Sequence, residues 1–137
     1  MAHLIDTSVF IAEERRGAPV ADVLDHLGDA DVAIAAVTAS ELLVGVFRAR
    51  PEWRQLARGR YVEEVLRRIT AIAFNLTIAR VHARLTADLT SAGVRIGEHD
   101  LQIAATALTF GYAVLTANVR DFGRVPGLVV ANFADLS

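Results

Sequence analysis

Cysteine is absent from the 137 residues, which removes disulfides, thiolate metal sites and cysteine nucleophiles together. Lysine is absent too: all 14 basic residues are arginine, so a phosphate-gripping lysine and Schiff-base chemistry are excluded. No apolar run reaches the length of a bilayer span. The amino terminus MAHLIDTSVF lacks the basic stretch, apolar run and small-residue cleavage site of a secretory signal, so cytoplasmic residence without membrane contact is expected. No GxGxxG or Walker sequence follows a strand-like run, no glycine elbow surrounds a serine, and the four histidines lack HExxH spacing. Internal repeats and low-complexity tracts are missing as well.

With 53% hydrophobic and 22% charged residues, what is present is the composition of a compact fold. A chain of this length has room for one core, hence a single domain across residues 1–137. Short strand-like runs fall at residues 2–5, 32–36, 70–74, 112–115 and 128–130. Helical spacing falls at residues 9–14, 20–27, 38 to the break at Pro51, 52–68, 77–89 and 100–110. Gly28 with Asp29 closes the second of these helices, and Gly111 is a left-handed terminator of the last. Strands alternating with helices, with few hairpin signals, imply an α/β fold: a mostly parallel central sheet flanked by helices on both faces.

Four acidic residues, Asp6, Glu41, Asp100 and Asp121, lie 35, 59 and 21 residues apart, each where an expected strand ends or helix begins. Such edges gather at one side of a parallel sheet, where open α/β folds bind their ligands. Each acid has a plain reading beside the functional one. Asp6 fits a helix cap as well as a ligand. Thr38-Ala39-Ser40-Glu41 fits a capping box, in which the glutamate reaches back to the cap amide. Asp100 stands where a helix dipole favours an anion, and Asp121 has Arg120 and Arg124 at hand as surface partners.

The functional reading rests on the set. Carboxylates converging at about 5 Å repel pairwise by roughly 3 kcal/mol at an effective dielectric of 20, which folding alone does not select. A hard divalent cation relieves that repulsion, and oxygen donors without cysteine or histidine suit Mg²⁺ or Mn²⁺ above zinc. An ion held this way polarises a phosphoryl oxygen and orients water, the inventory of phosphodiester hydrolysis.

The formal net charge of −2 argues against phosphate binding by bulk attraction. Its distribution is uneven: Arg48, Arg50, Arg54, Arg58 and Arg60 stand against the single Glu52, either as a solvated helix face or as a binding site. Phe47, Trp53 and Tyr61 lie beside them, as platforms for stacked bases or, at helical spacing, more commonly as packing residues. His3, His26, His82 and His99 read as structural or solvated, His99 being next to an acid.

The pieces LIDTSVFIA, TASELLVGV, EHDLQIAATAL and LTANVRDF with PGLVV follow one another across nearly the whole chain. In that order they resemble the PIN-domain ribonucleases, and among them the VapC-type toxins of VapBC toxin–antitoxin pairs. The resemblance implies a single PIN-like domain and a metal-dependent endoribonuclease. It maps Asp6, Glu41 and Asp100 onto the catalytic, metal-binding acids, with Thr7 and Thr116 as polar residues supporting them. Many relatives carry a carboxylate where Asn118 stands here, and Asp121 occupies a variable place, so the fourth site residue is Asn118 or Asp121. The resemblance further implies Mg²⁺ or Mn²⁺ as cofactor, RNA as substrate, a homodimer, and a cognate VapB-type antitoxin whose carboxyl-terminal segment wraps the chain near residues 41–68. Arg54 and Arg58 fall in that span, placed to meet the RNA backbone.

Two other readings stand beside this one. An aspartate-based phosphotransfer enzyme also places a carboxylate after the first strand, but its usual lysine is missing. A non-catalytic PIN-like protein-binding module would use the acids only as caps.

Overall fold

The computed structural model describes residues 2–28 and 30–136. Its strands are β1 (His3–Ile5), β2 (Val32–Ala35), β3 (Thr70–Ile72), β4 (Ala113–Thr116) and β5 (Val130–Asn132). They form a five-stranded sheet in the order β3-β2-β1-β4-β5, and its pairings are all parallel.

Alternation along the strands separates two cores. Leu4, Ala33, Ala35 and Val114 belong to one apolar cluster, and Ile5, Ile34 and Leu115 to the other. All are nearly or fully buried, as strands covered on both sides must be. Against the Ile5 face pack α1 (Thr7–Arg15), α2 (Val20–Leu27), α3 (Ala36–Arg48) and α4 (Glu52–Arg68), through Val9, Phe10, Val23, Leu42 and Val65. Against the Leu4 face pack α5 (Leu76–Ser91) and α6 (Glu98–Phe110), through Leu85, Leu89, Leu101 and Ala104. The expected architecture, a parallel sheet wrapped on both faces, is the one observed. Among the described residues no helix is long and apolar enough to cross a membrane.

Several boundaries differ from the sequence expectation. α3 begins at Ala36, straight off β2, with Ala35 in the cap position. Thr38 is therefore already helical and fully buried, and the expected capping box with Glu41 does not form. β3 stops at Ile72, and the exposed Phe74 leads instead to Asn75, which caps α5 by accepting the Ile78 N–H at 3.0 Å. β5 lies two residues later than expected, and two one-turn elements were not expected: the helix α7 (Val119–Phe122) and a 3₁₀ turn at Phe133–Leu136. Gly28 closes α2, while Asp29 lies outside the described residues. Gly111 ends α6 with φ at 71°, the left-handed conformation expected of it.

The chain runs outward from β1 to β2 and β3, then returns to the other side of β1 for β4 and β5. The carboxyl ends of β1 and β4 are neighbours across that reversal, where an open parallel sheet leaves a crevice.

Candidate active site

Asp6 directly follows β1, and its backbone N–H donates to the Leu115 carbonyl of β4 at 2.9 Å. The register pairs Ile5 with Leu115, which sets Asp6 beside Thr116. Asp6 occupies the cap position of α1 but makes no capping hydrogen bond. Its Oδ2 instead accepts the Ser8 hydroxyl at 2.6 Å and the Thr116 hydroxyl at 2.9 Å. Those hydroxyls are held in turn: the Ala117 N–H donates to Ser8 Oγ at 3.0 Å, and the Asn118 N–H donates to Thr116 Oγ1 at 2.9 Å. A nearly buried carboxylate is thus oriented by two hydroxyls whose own positions are fixed by backbone.

Glu41 lies in the second turn of α3 and is gripped from two sides. The Thr7 hydroxyl donates to its Oε1 at 2.8 Å, and His99 Nδ1 lies 3.0 Å from its Oε2. Asp100 is in the first turn of α6, where unpaired amides favour an anion. That turn is braced against α5 by His82 Nε2, 2.8 Å from Glu98 Oε1. Burial pushes the Asp100 carboxyl up to about 6, and the charges of Asp6, Asp121 and Glu41 act in the same direction against His99. One carboxyl of α6 therefore feels the other three acids, Asp6 between β1 and α1, Glu41 of α3 and Asp121 of α7, as negative neighbours.

Asp121 lies in α7, where its Oδ1 accepts Arg124 Nη2 at 2.9 Å, and the same Arg124 nitrogen donates to the Arg95 carbonyl at 2.6 Å. Its surface pairing is thus made, yet it still raises the proton affinity of Asp100. Asn118 enters the network through its backbone N–H. The two arginines singled out in the sequence part company: Arg58 reaches Glu14 of α1, Nε to Oε1 at 3.0 Å, whereas Arg54 stays exposed on α4 with its guanidinium 5.5 Å from the Trp53 ring.

Among the described residues, no three His, Cys, Asp or Glu side chains stand close enough as they lie to hold an ion between them. Their oxygens are drawn aside: Oδ2 of Asp6 by hydroxyls, both oxygens of Glu41 by Thr7 and His99, and Oδ1 of Asp121 by Arg124. A spread, all-oxygen cradle suits a hydrated hard cation, which takes one or two carboxylates directly and keeps several waters. After burial, the neighbouring acids add to the raised proton affinity of Asp100, a negative potential that such a cation would neutralise.

Ser8, which holds Asp6, is a site residue that the apolar pattern of the sequence does not single out. The available signal was a hydroxyl two positions after a strand-end aspartate, within reach of its carboxylate. His99, set apart from the other histidines by its place next to Asp100, makes the contact to Glu41.

A family model described as PIN domain matches residues 3–128. The chain belongs to the PIN-domain family. Ribonuclease VapC1 of Rickettsia felis is 39% identical to this PIN domain over 130 residues, 95% of each chain. A structure of VapBC-5 from Mycobacterium tuberculosis, a member of the VapBC family of toxin–antitoxin systems, matches at 32% identity and a TM-score of 0.74 over 96% of both chains. VapBC2 of Rickettsia felis, bound to a promoter DNA fragment, matches at a TM-score of 0.83 over 97% of this chain and 99% of that one, and its 24% identity makes this a likeness of fold. The likeness to VapC proteins spans nearly the whole chain, so this PIN domain is of the VapC type.

Proposed function

We propose that this protein is an endoribonuclease, the toxin of a type II toxin–antitoxin pair, which hydrolyses RNA phosphodiester bonds at a carboxylate-held Mg²⁺ or Mn²⁺ site. The observation that carries the reading is the crevice at the β1/β4 reversal, where Asp100 is held near pKa 6 by burial and by Asp6, Asp121 and Glu41. The ribonuclease and toxin–antitoxin names of the relatives support the substrate class and the protein partner.

In this reading residues 1–137 act as one catalytic unit. Asp6, Glu41 and Asp100 hold the ion, with Asp121 or Asn118 as the fourth site residue. When bound, the ion supplies the positive charge that polarises a phosphoryl oxygen and acidifies a water. Thr116 and Ser8 fix the rotamer of Asp6, and Thr7 fixes that of Glu41, so the carboxylates are oriented before RNA arrives. The Asp100 carboxyl would be held in its ionised form by a bound cation. Arg54 and Arg58 bring positive charge to the RNA, and a VapB-type antitoxin and a second copy of the chain are its protein partners. A module using its acids as caps is disfavoured, because the Asp6 side chain makes no capping hydrogen bond and Glu41 lies in the second turn of α3.

The test is cleavage of RNA by the purified protein in Mn²⁺ or Mg²⁺. Chelator is expected to abolish it, and Asp6→Ala or Asp100→Ala to lower it by orders of magnitude. Cleavage at the wild-type rate by Asp100→Ala would sink the assignment.

A further inference from the structure

A pocket of about 160 Å³ opens beside the acid crevice and shares Thr7 and Glu41 with it. It is sunk between α1, α3 and α4, and Phe10, Leu42 and Val62 form its apolar floor. Its polar side is the pair Glu14 and Arg58, with Arg58 Nε 3.0 Å from Oε1 and 3.3 Å from Oε2 of Glu14. Arg58 Nη1 also points at the Gly45 carbonyl from 3.5 Å, at the edge of bonding distance. A space this size is smaller than the roughly 300–1,000 Å³ of sites that enclose drug-sized ligands. It fits a single heteroaromatic ring system.

We propose that this pocket reads a base of the RNA next to the bond that is cut, with Glu14 and Arg58 as its specificity-determining residues and guanine as the preferred base. The inference rests on the ribonuclease reading and deepens it. Continuity carries the first step: a strand whose phosphate lies at Asp6, Glu41 and Asp100 has a neighbouring nucleotide within reach of a pocket walled by Glu41 itself.

Chemistry carries the second step. Side by side, a carboxylate and a guanidinium present acceptors next to donors. Guanine's Watson–Crick edge is the complement, two N–H donors (N1 and N2) beside the O6 acceptor. Once the pair opens, the two Glu14 oxygens that Arg58 Nε holds accept both N–H groups while the terminal nitrogens of Arg58 donate to O6. Adenine and cytosine offer one amino donor on that edge and uracil one N–H, so each leaves a carboxylate lone pair or a guanidinium proton unmatched. The apolar floor takes the ring face, as single-stranded RNA recognition requires. Opening the Glu14–Arg58 pair to admit the base costs little, because both side chains are partly exposed, at 24% and 35%, and such pairs contribute weakly to stability.

The test is cleavage of a randomised RNA pool in Mn²⁺, with the new ends sequenced, by wild type, Glu14→Gln and Arg58→Lys. Wild type is expected to show guanine enriched about tenfold or more at one fixed position beside the cut, the discrimination of a bidentate contact. Glu14→Gln is expected to flatten that enrichment and to leave the Mn²⁺-induced rise in melting temperature unchanged. An active wild type with no guanine enrichment overturns the pocket assignment and spares the nuclease reading, whereas a wild type that cuts nothing sinks both. Variants with the wild-type base distribution also overturn it, and do so in favour of a protein-docking pocket if they bind the antitoxin more weakly. A Glu14→Gln protein that binds Mn²⁺ normally but cuts nowhere overturns it too, by placing Glu14 in the chemical step.

Discussion

Asp100 ties folding to site chemistry. Its carboxyl titrates near 6 in the folded protein against 3.8 ordinarily, so across that window the native state holds a proton that the unfolded chain has lost. Stability contributed by this group is therefore present at low pH and falls as pH rises through the window. In chelator, Asp100→Asn is expected to melt above wild type by a margin that grows from about pH 4 to about pH 6 and then levels, and to lose the Mn²⁺-induced rise. Melting curves at several pH values check both halves. A variant that melts below wild type at neutral pH in chelator would show that the carboxylate serves as a structural anchor. Thr116 supplies a second test, because it is fully buried between the Asp6 carboxylate and the Asn118 N–H. Thr116→Val removes the hydroxyl and leaves both partners without it, and is expected to lower unfolding free energy by about 1–3 kcal/mol in urea titration. The sequence showed which acids to watch but not what holds them. Hydroxyl contacts between residues 108 and 110 positions apart, Ser8 and Asp6 to Thr116, leave no mark in local pattern.

Elements were legible where periodicity had room to show. The helices at 20–27, 52–68 and 100–110 and four of the strand positions follow from apolar spacing, whereas α7 has four residues and cannot display a period. The start of α3 was misplaced for a different reason. Thr38 and Glu41 have the composition of a capping box, but the chain enters the helix at Ala36 without a polar cap, and tertiary burial of Thr38 overrides the local signal. That override is what releases Glu41 from the helix end to meet Thr7 and His99. Gly111 shows the reverse, a local signal that holds. A Cβ there would meet nothing within 4 Å, so the whole cost of Gly111→Ala is conformational. It is expected to be about 1–2 kcal/mol, the left-handed penalty for an L-residue, read as a lower urea midpoint with unchanged slope.

At the scale of the molecule, the α3–α4 hairpin leaves Phe47, Trp53 and Leu56 more than half exposed, in the span where antitoxin binding was expected. Phe47→Ala with Trp53→Ala is expected to change stability by less than about 0.5 kcal/mol per site, as at other surface positions. The same pair is expected to weaken the antitoxin complex tenfold or more by calorimetry, since exposed aromatics dominate such interfaces. An unchanged affinity would move the partner to another face. The parallel order of the sheet has a consequence for the cell that makes the protein. Thr116, which seats Asp6, is supplied by β4, next to the central β1 in the sheet but 110 residues after Asp6 in sequence. A ribosome must pass residue 116 before that seat exists, so Asp6 and Glu41 emerge well ahead of the hydroxyl that orients the first of them.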